Sequence, residues 1–177
     1  MDYWSNTMQD DCYLIAADGW KAETTRVLVK NAKGKEVDKG WTCELIPKPL
    51  IVARYFAAKQ EDLDKLQAEI DSLAAQMAEL EEEHGGEDGA FSELDKVNKA
   101  AVTAYIKRIK SDKDAKEDVK VLNAWLDICN AEADAKKAYR DADWELDDLA
   151  YAKYAKLSEA EIKSLVVDDK WLSTLGA

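Results

Sequence analysis

The chain has 177 residues, with 37 acidic against 25 basic side chains, and a net charge of −12 at pH 7. A domain that grips a duplex unaided needs a basic face, because phosphate neutralisation supplies most of its affinity. This balance therefore argues against autonomous DNA binding and for a protein–protein role. Three cysteines with no C-x-x-C pair, together with a single histidine, leave neither a disulfide framework nor a zinc site and point to a reducing compartment. With two prolines and seven glycines, the chain has few helix breakers. Its richness in Ala, Glu, Lys, Asp and Leu reads as mainly α.

In chain order, the opening Met1-Asp2-Tyr3-Trp4 carries no leader and reads as the middle of a helix, so we expect the natural chain to begin further upstream. Residues 12–16, 26–30 and 41–46 are short β-prone runs. Asp18-Gly19 stops the first, and residues 31–36 form a turn-like stretch. The expectation for 1–46 is a short helix, then two or three strands with a hairpin near 26–46. So few strands need something to pack on.

Pro47 and Pro49 close that region, and the period then changes. Val52, Phe56, Leu63, Leu66, Ile70, Leu73, Met77 and Leu80 follow a 4-then-3 spacing, which predicts a coiled-coil-like helix from 49 to 83. His84 and Gly85 read as its C-cap. After the loop 85–89, Ser92 and Asp95 suggest the start of a second helix, with Leu94, Val97, Ala101, Val102, Tyr105, Ile106 and Ile109 on its apolar face. A third helix is expected over 113–156. Its seam is Val121, Trp125, Ile128, Ala135, Tyr139, Ala142, Leu146 and Leu149, interrupted by Glu132. Ser158 and Glu161 form a capping box for a short final segment, and 170–172 form a last turn.

The predicted fold is therefore mainly α: a long antiparallel coiled-coil-like helical hairpin with a small N-terminal β-hairpin subdomain. Residues 1–46 form the small α/β element, 47–157 the long-helix hairpin and 158–177 the C-terminal helical segment. No run of about 18 apolar residues is present, so a membrane span is not expected, and the expected location is the cytoplasm.

Catalytic, cofactor-binding and metal-binding residues are not expected. The two prolines are not adjacent, which rules out an Asn/Asp-Pro-Pro-aromatic motif for amino methylation, and no Gly-x-Gly loop occurs. Glu81, Glu82, Glu83 and His84 read as a solvated helix end, Asp168 and Asp169 as solvent-facing, and Cys12, Cys43 and Cys129 as buried structural thiols. The candidates that remain concern partners. Leu63, Leu66, Ile70, Leu73, Met77 and Leu80 on one seam, and Trp125, Tyr139, Leu146 and Leu149 on the other, are candidate partner-binding positions. Trp144 joins them from outside the seam, where an aromatic suggests a docking surface. Lys30, Lys33, Lys35 and Lys39, beside Trp20 and Trp41, are the candidate contacts to a DNA backbone.

Five stretches resemble the C-terminal third of the modification (M) subunits of bacterial type I restriction-modification systems. They are 10–20 (DDCYLIAADGW), 45–56 (LIPKPLIVARYF), 79–86 (ELEEEHGG), 149–154 (LAYAKY) and 165–171 (LVVDDKW). The resemblance implies an adenine-N6 DNA methyltransferase using S-adenosylmethionine, whose catalytic motif and cofactor loop lie upstream of this segment. It implies that residues 1–46 are the edge of the methyltransferase domain and that the helices pack on the specificity subunit. A restriction subunit would belong to the same complex, and DNA would be contacted indirectly. A stand-alone homodimerising coiled-coil scaffold is the alternative reading of the seams.

Overall fold

The computed structural model describes residues 2–112 and 114–173, with side chains from residue 8 onward. Met1, Lys113 and the end of the expected C-terminal segment, 174–177, lie outside the described residues. The chain is mainly α-helical, with one two-stranded antiparallel sheet. It divides into two units, one from residues 1–61 and 143–177, the other from residues 62–142. Residues 1–46 and the described part of 158–177, read separately in the sequence, thus share a unit.

In the first unit, α1 spans Asp2–Asp18. It takes in residues 12–16, which their composition marks as strand-prone. The helix carries them because Asp11 and Leu14 face inward while Cys12 and Tyr13 are exposed, so of the two or three strands expected, two form among the described residues. Gly19 ends α1 in the left-handed region at φ +77°, with its N–H on the Ile15 carbonyl at 2.9 Å. Strands β1 (Thr25–Lys30) and β2 (Glu36–Thr42) follow, in a register that pairs Val29 with Val37 and Lys30 with Glu36. Their turn is set by Asn31, whose side-chain oxygen accepts the N–H of Lys33 at 2.9 Å and of Lys35 at 3.0 Å. Gly34 supplies the positive φ of +73°.

Helix α2 spans Lys48–Tyr55, with Pro49 in its first turn, where a missing N–H costs no bond. A single helix from 49 to 83 does not form. Phe56 turns out of the helical region at φ −133°, and α3 begins anew at Ala57 and runs to Glu83. The break falls just after two side chains tied elsewhere. Arg54 pairs with Asp169 at 2.7 Å, and the Tyr55 hydroxyl donates to Glu161 at 2.9 Å. These ties override the local heptad spacing. At the other end, Ser158 and Glu161 form the expected capping box of α6 (Glu159–Ser164). A π-helical segment, Leu165–Leu172, follows it.

The second unit packs α3, α4 (Lys99–Ile109) and the first part of α5 (Lys116–Tyr154). Leu80 lies across a groove from Ala124 and Ile128, and Ile70 across another from Ala133 and Tyr139. Position falls along one helix as it rises along the other, so α3 and α5 run antiparallel. Ala90, Phe91, Val102, Leu122 and Trp125 form the core here. Phe91 meets Trp125 edge-on with centroids 6.3 Å apart, and the Trp125 indole N–H reaches Glu81 at 2.8 Å. Glu132, the break in the α5 seam, is half-buried and answered by Lys136 at 2.7 Å.

Two expectations are corrected in this unit. Ser92 does not cap α4; Asn98 does, accepting from the Ala101 N–H at 3.0 Å. Burial of Ala90 and Phe91 holds residues 89–94 in turns, and the Ser92 N–H is spent on the Gly89 carbonyl. Gly85 follows α3 without a positive φ. Glycine is required there because a Cβ would collide with the Glu81 carbonyl, and at Gly89 because one would collide with the His84 carbonyl. The loop closes through the Phe91 N–H on His84 O at 3.1 Å.

Leu122 is fully buried, so Leu122→Ala should cost about 2–5 kcal/mol in urea unfolding of the full chain, since both transfer energy and a cavity are lost. Trp144→Ala, at an exposed helical position, should stay within about 0.5 kcal/mol of the parent.

Candidate protein-docking surface

Three polar nodes organise the first unit. At the first, Asp11 is buried to 3% exposure and accepts the Lys170 ammonium at 2.6 Å and the Trp171 indole N–H at 2.8 Å. Lys170 also donates to the Leu45 carbonyl at 2.9 Å. Consecutive side chains reach one carboxylate because the wider π turn separates their directions less than an α turn does.

At the second node, Trp41 packs edge-on against Tyr151 and Tyr154, with centroids at 5.4 and 5.2 Å. Its indole N–H donates to Asp147 at 2.8 Å, and Lys48 pairs with the other oxygen of Asp147 at 2.5 Å. Burial pushes the Asp147 pKa up, but the hydrogen bonds from Lys48 and Trp41 and the charges of Lys48 and Arg26 outweigh it. The carboxyl therefore lies below its usual range. Tyr154 donates its hydroxyl to the Ile46 carbonyl at 2.7 Å, and burial drives its own pKa far up.

The third node is Glu161. It accepts from the Ser158 backbone, from Lys153 at 2.9 Å, from the Ser158 hydroxyl and from Tyr55. These bonds, led by the Ser158 N–H, pull its pKa down to about 2. Burial, followed by the hydrogen bond to Glu161, raises that of Tyr55.

The donors and acceptors of these nodes pair with one another across different elements. A cavity of about 160 Å³ lies beside Cys43, Lys21 and Glu23. Burial keeps the Cys43 thiol pKa high, so the thiolate needed for nucleophilic chemistry is disfavoured. Among the described residues no cluster of His, Cys, Asp and Glu could hold a metal ion, and no helix is long and apolar enough to cross a membrane.

The partner-binding candidates separate by exposure. Leu63, Ile70, Trp125 and Leu146 are buried inside the chain. Leu66, Leu73, Met77, Leu80, Tyr139 and Leu149 are half-buried, and Met77 and Leu80 pack on the second unit's core. Trp144 stands apart at 70% exposure. Of the expected buried thiols, Cys43 is buried and Cys129 half-buried, but Cys12 is exposed on the outer face of α1.

Lys30, Lys33, Lys35 and Lys39 are all exposed on the hairpin and its turn, interleaved with Glu36 and Asp38. Their aromatic neighbours are engaged elsewhere. Trp41 is held by two tyrosines and Asp147, and Lys163 stands 5.7 Å from the Trp20 ring centre. Besides Trp144, the exposed large apolar side chains among the described residues are Tyr13, Leu28, Val29, Val37, Tyr151 and Leu172. Leu28 and Val29, adjacent on β1 and both exposed, show that neither face of the hairpin is fully covered. No family model, curated protein or solved structure matches this chain.

Two predictions follow from the nodes. Asp11→Ala removes the buried carboxylate that Lys170 and Trp171 share, which should cost about 3–5 kcal/mol in chemical denaturation. Glu161 is shifted down from an ordinary 4.5 to about 2. Its contribution is therefore complete above pH 4.5 and lost as the pH falls towards 2. Melting temperatures taken from pH 6 to pH 2.5 should fall less steeply for Glu161→Gln than for the parent.

Proposed function

We propose that this chain is the C-terminal assembly region of the modification subunit of a type I restriction-modification adenine-N6 DNA methyltransferase. In this role it docks to the specificity subunit, and methyl transfer takes place outside these residues. One observation carries the reading. Four of the five stretches that resemble the family, distant in sequence, are tied to one another in the first unit. Asp11 of the first stretch binds Lys170 and Trp171 of the last. Lys170 binds the Leu45 carbonyl, Tyr154 binds the Ile46 carbonyl, and Arg54 pairs with Asp169. The resembling residues are thus among those that hold the unit together, as expected if the resemblance extends to a shared fold.

Charge supports the same reading. A net charge of −12 suits a part that binds protein and leaves DNA to the specificity subunit. S-adenosylmethionine would be bound by the upstream part of the full-length protein, the restriction subunit would join the same complex, and the compartment would be the cytoplasm. Homodimerisation through the seams is disfavoured, because Leu63, Ile70, Trp125 and Leu146 are already buried within the chain.

Mixed with the specificity subunit encoded beside it, the chain should co-elute on size exclusion as a stable complex. Separate elution of two well-folded proteins would refute the assignment. Isothermal titration of the chain with S-adenosylmethionine should give no binding heat, and saturable heat would place the cofactor site within these residues.

A further inference from the structure

Two large aromatic side chains of α5, Trp144 and Tyr151, stay exposed, and the surroundings of Trp144 define the chemistry of a partner for them. Trp144 and Tyr151 are one heptad apart on α5, so they lie on one side of the helix. They are 70% and 44% exposed. Asp148 lies between them, four residues from the first and three from the second, and it is exposed. Glu145 is spoken for by Lys59 at 2.7 Å, and Asp147 by Lys48 and Trp41. Asp148 has no ion pair among the described residues.

Elsewhere in this unit, aromatic rings are met by cations. Arg26 stands 5.9 Å from the Tyr151 ring centre, Lys153 4.1 Å from Tyr55 and Lys163 5.7 Å from Trp20. Among the described residues no cation stands over Trp144. Indole is the strongest of the aromatic platforms for a cation, and guanidinium, being planar and weakly hydrated, is its best match.

We propose that the Trp144–Asp148–Tyr151 face of α5 docks a basic helical segment of a partner protein, with an arginine laid on Trp144 and its charge answered by Asp148. The proposal rests on the assembly reading above and names the surface and the chemistry through which assembly occurs. The overall charge of −12 repels nucleic acid and disfavours a second copy, while attracting a basic segment at long range.

The face can be probed with a synthetic amphipathic helical peptide bearing arginines at i, i+4 and i+7, beside a glutamate-substituted control. Calorimetry with the full chain should show binding of the arginine peptide and none of the control. Trp144→Ala should weaken that binding about tenfold, the scale of a desolvated aromatic anchor. Asp148→Asn should weaken it less and flatten its salt dependence. Both positions are exposed on a helix, so the variants should fold, which circular dichroism verifies. Equal affinity of parent and Trp144→Ala for the peptide would overturn the proposal. So would a dimer, seen by sedimentation, that Trp144→Ala dissolves, since the occupant would then be a second copy. The specificity subunit separates the two readings. If the parent fails to bind it, the assembly reading falls. If parent and Trp144→Ala bind it equally, the assembly reading stands and this surface does not.

Discussion

The first unit depends on one buried carboxylate. Asp11 comes from α1, Lys170 and Trp171 from the π-helical segment, and the Leu45 carbonyl from the chain between β2 and α2. A charge with 3% exposure is tolerable only when its lone pairs are answered, and here a cation and an indole answer them. The node therefore ties three segments to one another, because a buried carboxylate must keep the donors that answer it. Around it, Ile46, Ile51, Leu165 and Val166 are buried almost completely and supply the apolar energy.

The other two nodes extend the same logic outward. Asp147 and Glu161 each collect several donors from different elements, and each is held ionised by them. An acidic chain thus uses part of its excess negative charge as structural acceptors. Tyr154 and Trp41 act as the aromatic counterparts, each burying a ring while its polar atom finds a partner. The second unit is built differently, around Phe91, Leu122 and Trp125, with one polar bond from Trp125 to Glu81.

This use of side chains leaves a division on the surface. The heptad positions that advertise an interface are largely absorbed by intrachain packing. Trp144, outside the heptad register, is left open beside Asp148. The lysines of the hairpin are left open too, but the nearby rings are held by other side chains. Protein docking is accordingly better served by α5 than by the seams, and nucleic-acid stacking is poorly served by the hairpin.

Much of the secondary structure was legible because it depends on local chemistry. The Asn31–Gly34 turn, the Ser158–Glu161 capping box, Pro49 in a first turn and the apolar period of α3 and α5 act over a few residues, and those residues are present. The off-seam position of Trp144 was legible for the same reason, since helical period alone assigns a face. The rest was settled by contacts between residues far apart in sequence. Residues 12–16 look like a strand but lie in a helix, because Asp11 beside them is tied to Lys170. The helix expected from 49 breaks at Phe56 where Arg54 and Tyr55 are tied to Asp169 and Glu161. The start of α4 moves to Asn98 because Ala90 and Phe91 are drawn into a core. Composition and periodicity determined that this chain is an acidic, helical hairpin protein. Only tertiary structure decided which apolar and charged groups are used up inside it, because that depends on partners more than a hundred residues away, such as Asp11 and Lys170, that no local pattern encodes.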